Sequence, residues 1–196
     1  MTDLGYSGYK ESFLPFGEPA AQDPDPEVRK RFFGKYRGMV VENVDPLLQG
    51  RLIVTVPDVY GILPSTWALP CVPMAGPQAG EFAVPPIGAS VWIEFEHGDR
   101  DYPIWTGCFW GTAAEVPALA LTTPPPLQTI VLQTVGQNTL MISDLPGPTG
   151  GLLLKSATGA LIAINDVGIT ISNGQGASIV LTGPTVTVNA GALTVI

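Results

Sequence analysis

Between Thr139 and Ile196 apolar residues recur one apart in short beats, each separated from the next by a Gly, Asn, Asp or Pro bend. The beats are Leu140/Ile142, Leu152/Leu154, Ile162/Ile164, Ile169/Ile171, Ile179/Leu181, Val186/Val188 and Leu193/Val195. Alternation of period two places both members of a pair on one face of a strand. Thr170, Ser172, Thr182, Thr187, Asn189 and Thr194 fall on outward positions, where short polar and branched side chains suit a wet pleated surface. The second apolar residues stand at 142, 154, 164, 171, 181, 188 and 195, giving spacings of 12, 10, 7, 10, 7 and 7. Such a quasi-repeat predicts a β-solenoid or β-helix. Coils this short cannot close a core within one chain, so the core is expected to be shared by several copies around one axis. Three is the natural number, because three short strands close a triangular prism. Seven layers at ~4.8 Å would make a stiff needle about 34 Å long.

Upstream, the alternation predicts five more short strands: Arg37–Val44, Gly50–Pro57, Ala68–Met74, Ala89–Glu96 and Tyr102–Trp110. The third is broken by prolines and belongs at a sheet edge. In the fourth, Val91, Ile93 and Phe95 share one face, and His97-Gly98-Asp99 turns the chain into the fifth. Five such strands suit a small closed barrel of the OB type, with Gly38, Gly50, Gly88 and Gly107 where strands must bend. Residues 112–128, with Pro124-Pro125-Pro126, read as a semi-rigid extended linker. Residues 1–35 read as an extended arm, with one helical turn possible over Glu27–Phe33. The expected chain is thus all-β: an arm (1–35), an OB barrel (36–111), a Pro-rich linker (112–128) and an intertwined trimeric β-helix (129–196).

Composition sharpens this. The chain has 196 residues, with 23 Gly and 20 Pro beside 45% apolar residues, which points to many short strands and turns rather than to disorder. The net charge of −8 makes nucleic acid a poor partner. Charge is concentrated early: after residue 111 the only cation is Lys155, beside Glu115, Asp144 and Asp166. A nearly uncharged needle suits a part that slides or pierces. No apolar run is long enough for a membrane-spanning helix, and the start lacks the pattern of a signal peptide. Synthesis in a reducing cytoplasm is expected, with Cys71 and Cys108, both in apolar strand contexts, as buried free thiols.

Candidate chemistry is sparse. His97 is the only histidine, so a serine triad and a His-based metal site are both disfavoured, and no cofactor is expected. Glu94, Glu96, Asp99 and Asp101 form the densest acidic patch, but Glu94 and Glu96 fall on one outward strand face, as solvated surface. Asp144 and Asp166 sit at bends, where Asp caps turns. The reading is not an enzyme.

One set of motifs carries a resemblance. Gly50-Arg51-Leu52-x-Val54-x-Val56-Pro57 is followed by Trp67, then by Pro73-Met74-Ala75-Gly76. Pro85-Pro86-x-Gly88, Val91-x-Ile93-x-Phe95-Glu96-x-Gly98-Asp99 and Pro103-Ile104-x-x-Gly107 come next, in order. Over residues 36–111 the chain resembles the OB domain of central-spike proteins of contractile tails: phage baseplate assembly protein V, the T4-type tail spike and the VgrG spikes of type VI secretion. The resemblance implies a homotrimeric spike whose OB barrels sit on a hub and whose β-helix pierces the target cell envelope when a sheath contracts. The large hub domain that VgrG carries in front is missing from these 196 residues, so a separate trimeric hub protein is implied, and residues 112–128 leave no room for the lysozyme domain that the T4-type spike carries between barrel and needle. The aromatics Tyr6, Tyr9, Phe13, Phe16, Phe32 and Phe33 are the candidate hub contacts. The blunt apolar end, Leu193, Val195 and Ile196, is the candidate seat of a PAAR-like tip protein; it lacks the His-x-His iron site of some needles. The competing reading is an OB-fold module for oligosaccharide or single-stranded nucleic acid on a β-solenoid stalk. A carbohydrate lyase or hydrolase comes third.

Overall fold

The computed structural model describes residues 30–195, which form two sheets and a small hairpin. The first sheet contains β1 (Tyr36–Glu42), β2 (Ile53–Thr55), β3 (Leu69–Pro70), β6 (Ser90–Phe95) and β7 (Pro103–Phe109), in the order β2-β1-β6-β7-β3. The pair β4 (Ala75–Gly76) and β5 (Ala79–Gly80) forms the hairpin. The sheet is antiparallel except for β3, which runs parallel to β7. Its two edges meet where Leu52 and Ala68 exchange backbone hydrogen bonds of 3.1 and 2.7 Å. The curled sheet therefore has no free edge at that point, and the Pro-broken third strand is the one at its margin.

The interior follows the alternation. Val40, Leu52, Val54, Val56, Val91 and Ile93 are buried, and Trp105 donates its Nε1–H to the Gly50 carbonyl at 3.0 Å. Two bends let the sheet curl. Opposite Trp92 the register slips by one residue between Trp105 and Cys108, and Gly107 there has a φ of 142°. Gly38 lies where a Cβ would stand 3.0 Å from Ile93 Cγ1 and 3.1 Å from the Thr55 carbonyl. A one-turn helix, α1 (Pro57–Tyr60), and the β4–β5 hairpin were not expected from periodicity, being too short to show one.

Several expectations need correction. Lys30–Phe33 is not helical: the Phe32 N–H donates to the Gly98 carbonyl at 2.9 Å, and the Phe32 ring packs against Tyr36 and Phe95. Phe32 is buried core, not a free contact residue, whereas Phe33 is 72% exposed. The linker is not simply extended, because Ala113–Glu115 and Ala118–Leu121 are 3₁₀ turns and Leu127 N–H closes a further turn on Pro124. Glu115 holds the first of these by accepting from Gly111 N–H and the Thr112 hydroxyl. Cys71 and Cys108 are free thiols but exposed, since both lie at the barrel margin; partial burial still pushes the Cys108 pKa up.

The second sheet is an eight-stranded antiparallel meander. Its strands are β8 (Thr129–Gln133), β9 (Thr139–Ser143), β10 (Gly151–Lys155), β11 (Leu161–Asn165), β12 (Gly168–Ser172), β13 (Ser178–Thr182), β14 (Thr185–Val188) and β15 (Leu193–Val195). Each strand pairs only with its sequence neighbours. One beat is one layer, reached by a hairpin, and the strand β8 adds a layer ahead of the seven read from the repeat. Eight strands make seven gaps, so the sheet spans about 34 Å at ~4.8 Å per gap.

Candidate interaction face of the C-terminal sheet

Register determines what this sheet presents. Ile130 faces Ile142, which faces Leu152, and the row continues through Ile164, Ile169, Leu181, Val186 and Val195. A second row runs Leu132, Leu140, Leu154, Ile162, Ile171, Ile179, Val188 and Leu193. All fourteen residues of the beats thus fall into two adjacent rows on one side of the sheet, joined by Ile130 and Leu132. Those two stand one bend ahead of the first beat, outside a repeat counted from Thr139, although their own spacing of two is the same signal.

In the isolated chain these rows face outward. Leu140, Ile162 and Ile164 are 38%, 40% and 42% exposed, and Leu154 is 51% exposed. The rows contain no charged or polar residue. The reverse side carries Val131, then Met141, which is buried, then Leu153, Ala163, Thr170, Val180 and Thr187. An unbroken aliphatic strip along a whole sheet is far larger than the scattered apolar residues of ordinary surfaces, and marks an interaction face.

The hairpin turns keep the two rows in register. Gly151, at φ 76°, has its Cα so close to β11 that a Cβ would lie 2.1 Å from the Ile164 carbonyl. Gly168 stands in the same relation to Leu181. Asn165 Oδ1 accepts from Val167 N–H, Asn173 Oδ1 from Gln175 and Ala177, and Asp166 Oδ2 from Gly147 N–H. At the sheet's first end the hydroxyls of Thr123, Thr129 and Ser143 lie 2.5–3.1 Å apart and tie the linker to β8 and β9. At the other end Leu193 is 58% exposed; the Val195 side chain and Ile196 lie outside the described residues.

The barrel offers little reactive chemistry. Glu94 is ion-paired with Lys35 at 2.9 Å, and the same ammonium donates to the Thr106 hydroxyl. Asp99 lies 3.9 Å from Arg31, and Asp101 3.9 Å from Arg100. His97 is a turn residue at φ 51°. Arg37 lies over Trp92 and Phe109 on the outer wall, Arg51 over Trp67, Arg100 over Tyr60 and Lys30 over Phe32. Tyr60, partly buried and near Asp101, has its pKa pushed up to about 12 while its hydroxyl donates to the Arg100 carbonyl. Among the described residues no three His, Cys, Asp or Glu side chains gather as a metal site, and no helix is long and apolar enough to cross a membrane.

The two barrel ends differ. Phe33, Ile62, Leu63 and Tyr102 are exposed where the arm joins; Tyr6, Tyr9, Phe13 and Phe16 lie outside the described residues. The opposite end, from which the linker leaves, carries the loop Asp45–Arg51. There the buried Asp45 carboxylate accepts from Arg51 Nη2 at 2.6 Å and from the N–H groups of Leu47, Gln49 and Arg51. The Arg51 guanidinium and these N–H bonds hold the Asp45 carboxyl well below the usual carboxylate range, against the opposing effect of burial.

Comparison with known families matches both halves. Residues 36–110 match the family model described as the type VI secretion system/phage-baseplate injector OB domain. Residues 129–194 match the phage baseplate V C-terminal trimerisation domain. No curated protein matches the chain.

Proposed function

Since the chain belongs to the phage baseplate V family, carrying its OB and C-terminal trimerisation domains in order, we propose that it is the homotrimeric central spike of a contractile injection machine. Three copies of the C-terminal sheet turn their aliphatic rows toward one axis and close a dry prism. The observation that carries this reading is the double row itself, about two-fifths exposed in one chain and lying within the stretch that matches a trimerisation domain. Eight strands linked by backbone hydrogen bonds give the prism stiffness along its length. With Lys155, Asp144 and Asp166 as its only charges beyond the linker, it meets an envelope with little charge to desolvate.

In this reading the spike is mechanical and not an enzyme. A separate trimeric hub protein receives the arm end of the barrels, where Phe33, Ile62, Leu63 and Tyr102 are exposed. The Leu193 end seats a PAAR-like tip protein, and sheath contraction drives the assembly through the target cell envelope. The particle is a phage tail or a phage-tail-like injection system.

Light scattering on the purified full chain tests the central claim: a mass of three chains is expected, and a monomer at micromolar concentration would overturn it. Glu94→Gln and Glu96→Gln are expected to leave envelope penetration by assembled particles unchanged. Loss of a polysaccharide-cleaving activity in either variant would revive the enzyme reading. If immobilised spike captures no PAAR-like protein encoded beside it, the tip assignment fails.

A further inference from the structure

The loop Asp45–Arg51 is built to present two leucines to solvent. Leu47 and Leu48 are 61% and 84% exposed. Leu48 also holds a φ of 56°, a left-handed conformation that bulky side chains avoid and that a turn would ordinarily give to Gly or Asn. The conformation is imposed by Asp45, whose backbone carbonyl takes the Leu48 N–H at 3.0 Å while its carboxylate binds the N–H groups on either side. Arg51 locks that carboxylate and lies over the Trp67 ring. Strained backbone with an exposed apolar tip is disfavoured twice in a lone chain, and such strain is characteristic of functional contacts.

Beside this knob lies a complementary hollow. A cavity of about 350 Å³ opens between the β4–β5 hairpin and the barrel, lined by Gly50, Val72, Met74, Phe82, Val84 and Trp105. Its lining is mainly apolar, with Gln49, Gln78 and Glu81 contributing polar groups, and it has room for two leucine side chains. The knob adjoins its own chain's cavity through Gln49 and Gly50, but Leu47 and Leu48 do not line it, so the knob does not fill its own hollow. Knob and hollow both lie at the barrel end from which the linker runs to the C-terminal sheet, because Phe109 pairs with Ser90 there and Asn43 binds the Pro85 carbonyl.

We infer that in the trimer the Leu47–Leu48 knob of each barrel enters the cavity of the next copy, forming a second, head-to-tail ring above the prism. The inference rests on the trimer of the preceding section. Two different patches on one subunit are what a heterologous contact needs, and three such contacts close a ring. Charge selects the same end. A self-contact repeats every charge three times around the axis, so it needs an end with few free ones. Here Glu42 and Asp45 are turned back onto their own chain, bonding Val44 N–H and Arg51, which leaves Glu81 of the cavity lining as the acidic side chain without such a bond. The arm end instead carries Asp58 and Glu96, besides Asp99 and Asp101, which lie 3.9 Å from Arg31 and Arg100.

Leu48→Gly in the full chain gives opposite signs for the two possibilities. If Leu48 has no partner, Gly relieves the backbone and the variant trimer is as tight as the parent or tighter, which would overturn the inference. If it fills the neighbour's cavity, trimer dissociation in sedimentation experiments should rise at least tenfold. A photoreactive amino acid at position 48 should give an inter-chain adduct mapping to residues 70–84, with the same group at Ile62 giving none. Adducts confined to one chain, or equal at both positions, would overturn it. A parent chain that is itself monomeric would overturn the trimer reading and this contact with it.

Discussion

Ile162→Ala removes three side chains from one layer of the proposed prism. In one chain Ile162 is 40% exposed, so about three-fifths of its burial belongs to folding of the sheet and two-fifths to association. Full burial of an isoleucine stabilises by roughly 1.5–3 kcal/mol. The associating share is then about 0.6–1.2 kcal/mol per chain, or roughly 2–4 kcal/mol for the layer. Trimer dissociation should rise between about thirtyfold and several hundredfold, at ~1.4 kcal/mol per decade. A cavity left on the axis would add to this. The assay is sedimentation equilibrium of the full chain, in the guanidinium concentration at which the parent is half dissociated. Thr170→Ala, on the reverse side of the neighbouring strand, is the control and should change dissociation less than twofold. The reasoning is refuted if Ile162→Ala leaves dissociation unaltered, or if Thr170→Ala weakens the trimer as much.

Three further outcomes follow from geometry. Gly151→Ala places a Cβ 2.1 Å from the Ile164 carbonyl and should lower the melting temperature clearly, whereas Gly147→Ala, with no heavy atom within 4 Å, should cost only the ~1–2 kcal/mol of its positive φ. Trp105→Phe leaves the Gly50 carbonyl without its partner and should destabilise the barrel by ~1–3 kcal/mol in chemical denaturation. Asp45 has a depressed pKa in the folded chain, so its contribution is present in full above pH ~4 and is lost as the pH falls from there through the folded value. The difference in melting temperature between the parent and Asp45→Asn should therefore be constant from pH 7 to about pH 5 and shrink in stronger acid; a difference that grows on acidification would contradict the Arg51 pairing.

Legibility in the sequence followed the range of the interaction. The beats Leu140/Ile142 to Leu193/Val195 were readable because strand alternation is a local property of the backbone, and hairpin register then carries each pair onto the next. The five barrel strands were readable for the same reason, through runs such as Val91-x-Ile93-x-Phe95. Ile130 and Leu132 repeat the signal once, one bend ahead of the first beat, so a repeat counted from Thr139 does not include them. The helix α1 and the β4–β5 hairpin are too short to have a period at all.

What alternation cannot specify is what lies opposite a residue. Phe32 and Phe33 are adjacent aromatics in an arm-like stretch, yet Phe32 fills the barrel against Phe95 while Phe33 faces solvent, because a backbone bond to Gly98 sets which ring points inward. Cys71 and Cys108 have apolar neighbours but sit at a margin that closes over neither. Leu48 reads as an ordinary loop residue until Asp45, brought round by the turn, holds it left-handed beside a hollow formed by residues 50 to 105. Sequence by itself determined the strands and the apolar side of each, since those depend on neighbours two residues away. Tertiary structure alone decided which side chains became core, face or knob, because burial depends on segments that chain connectivity places far apart and only folding brings together.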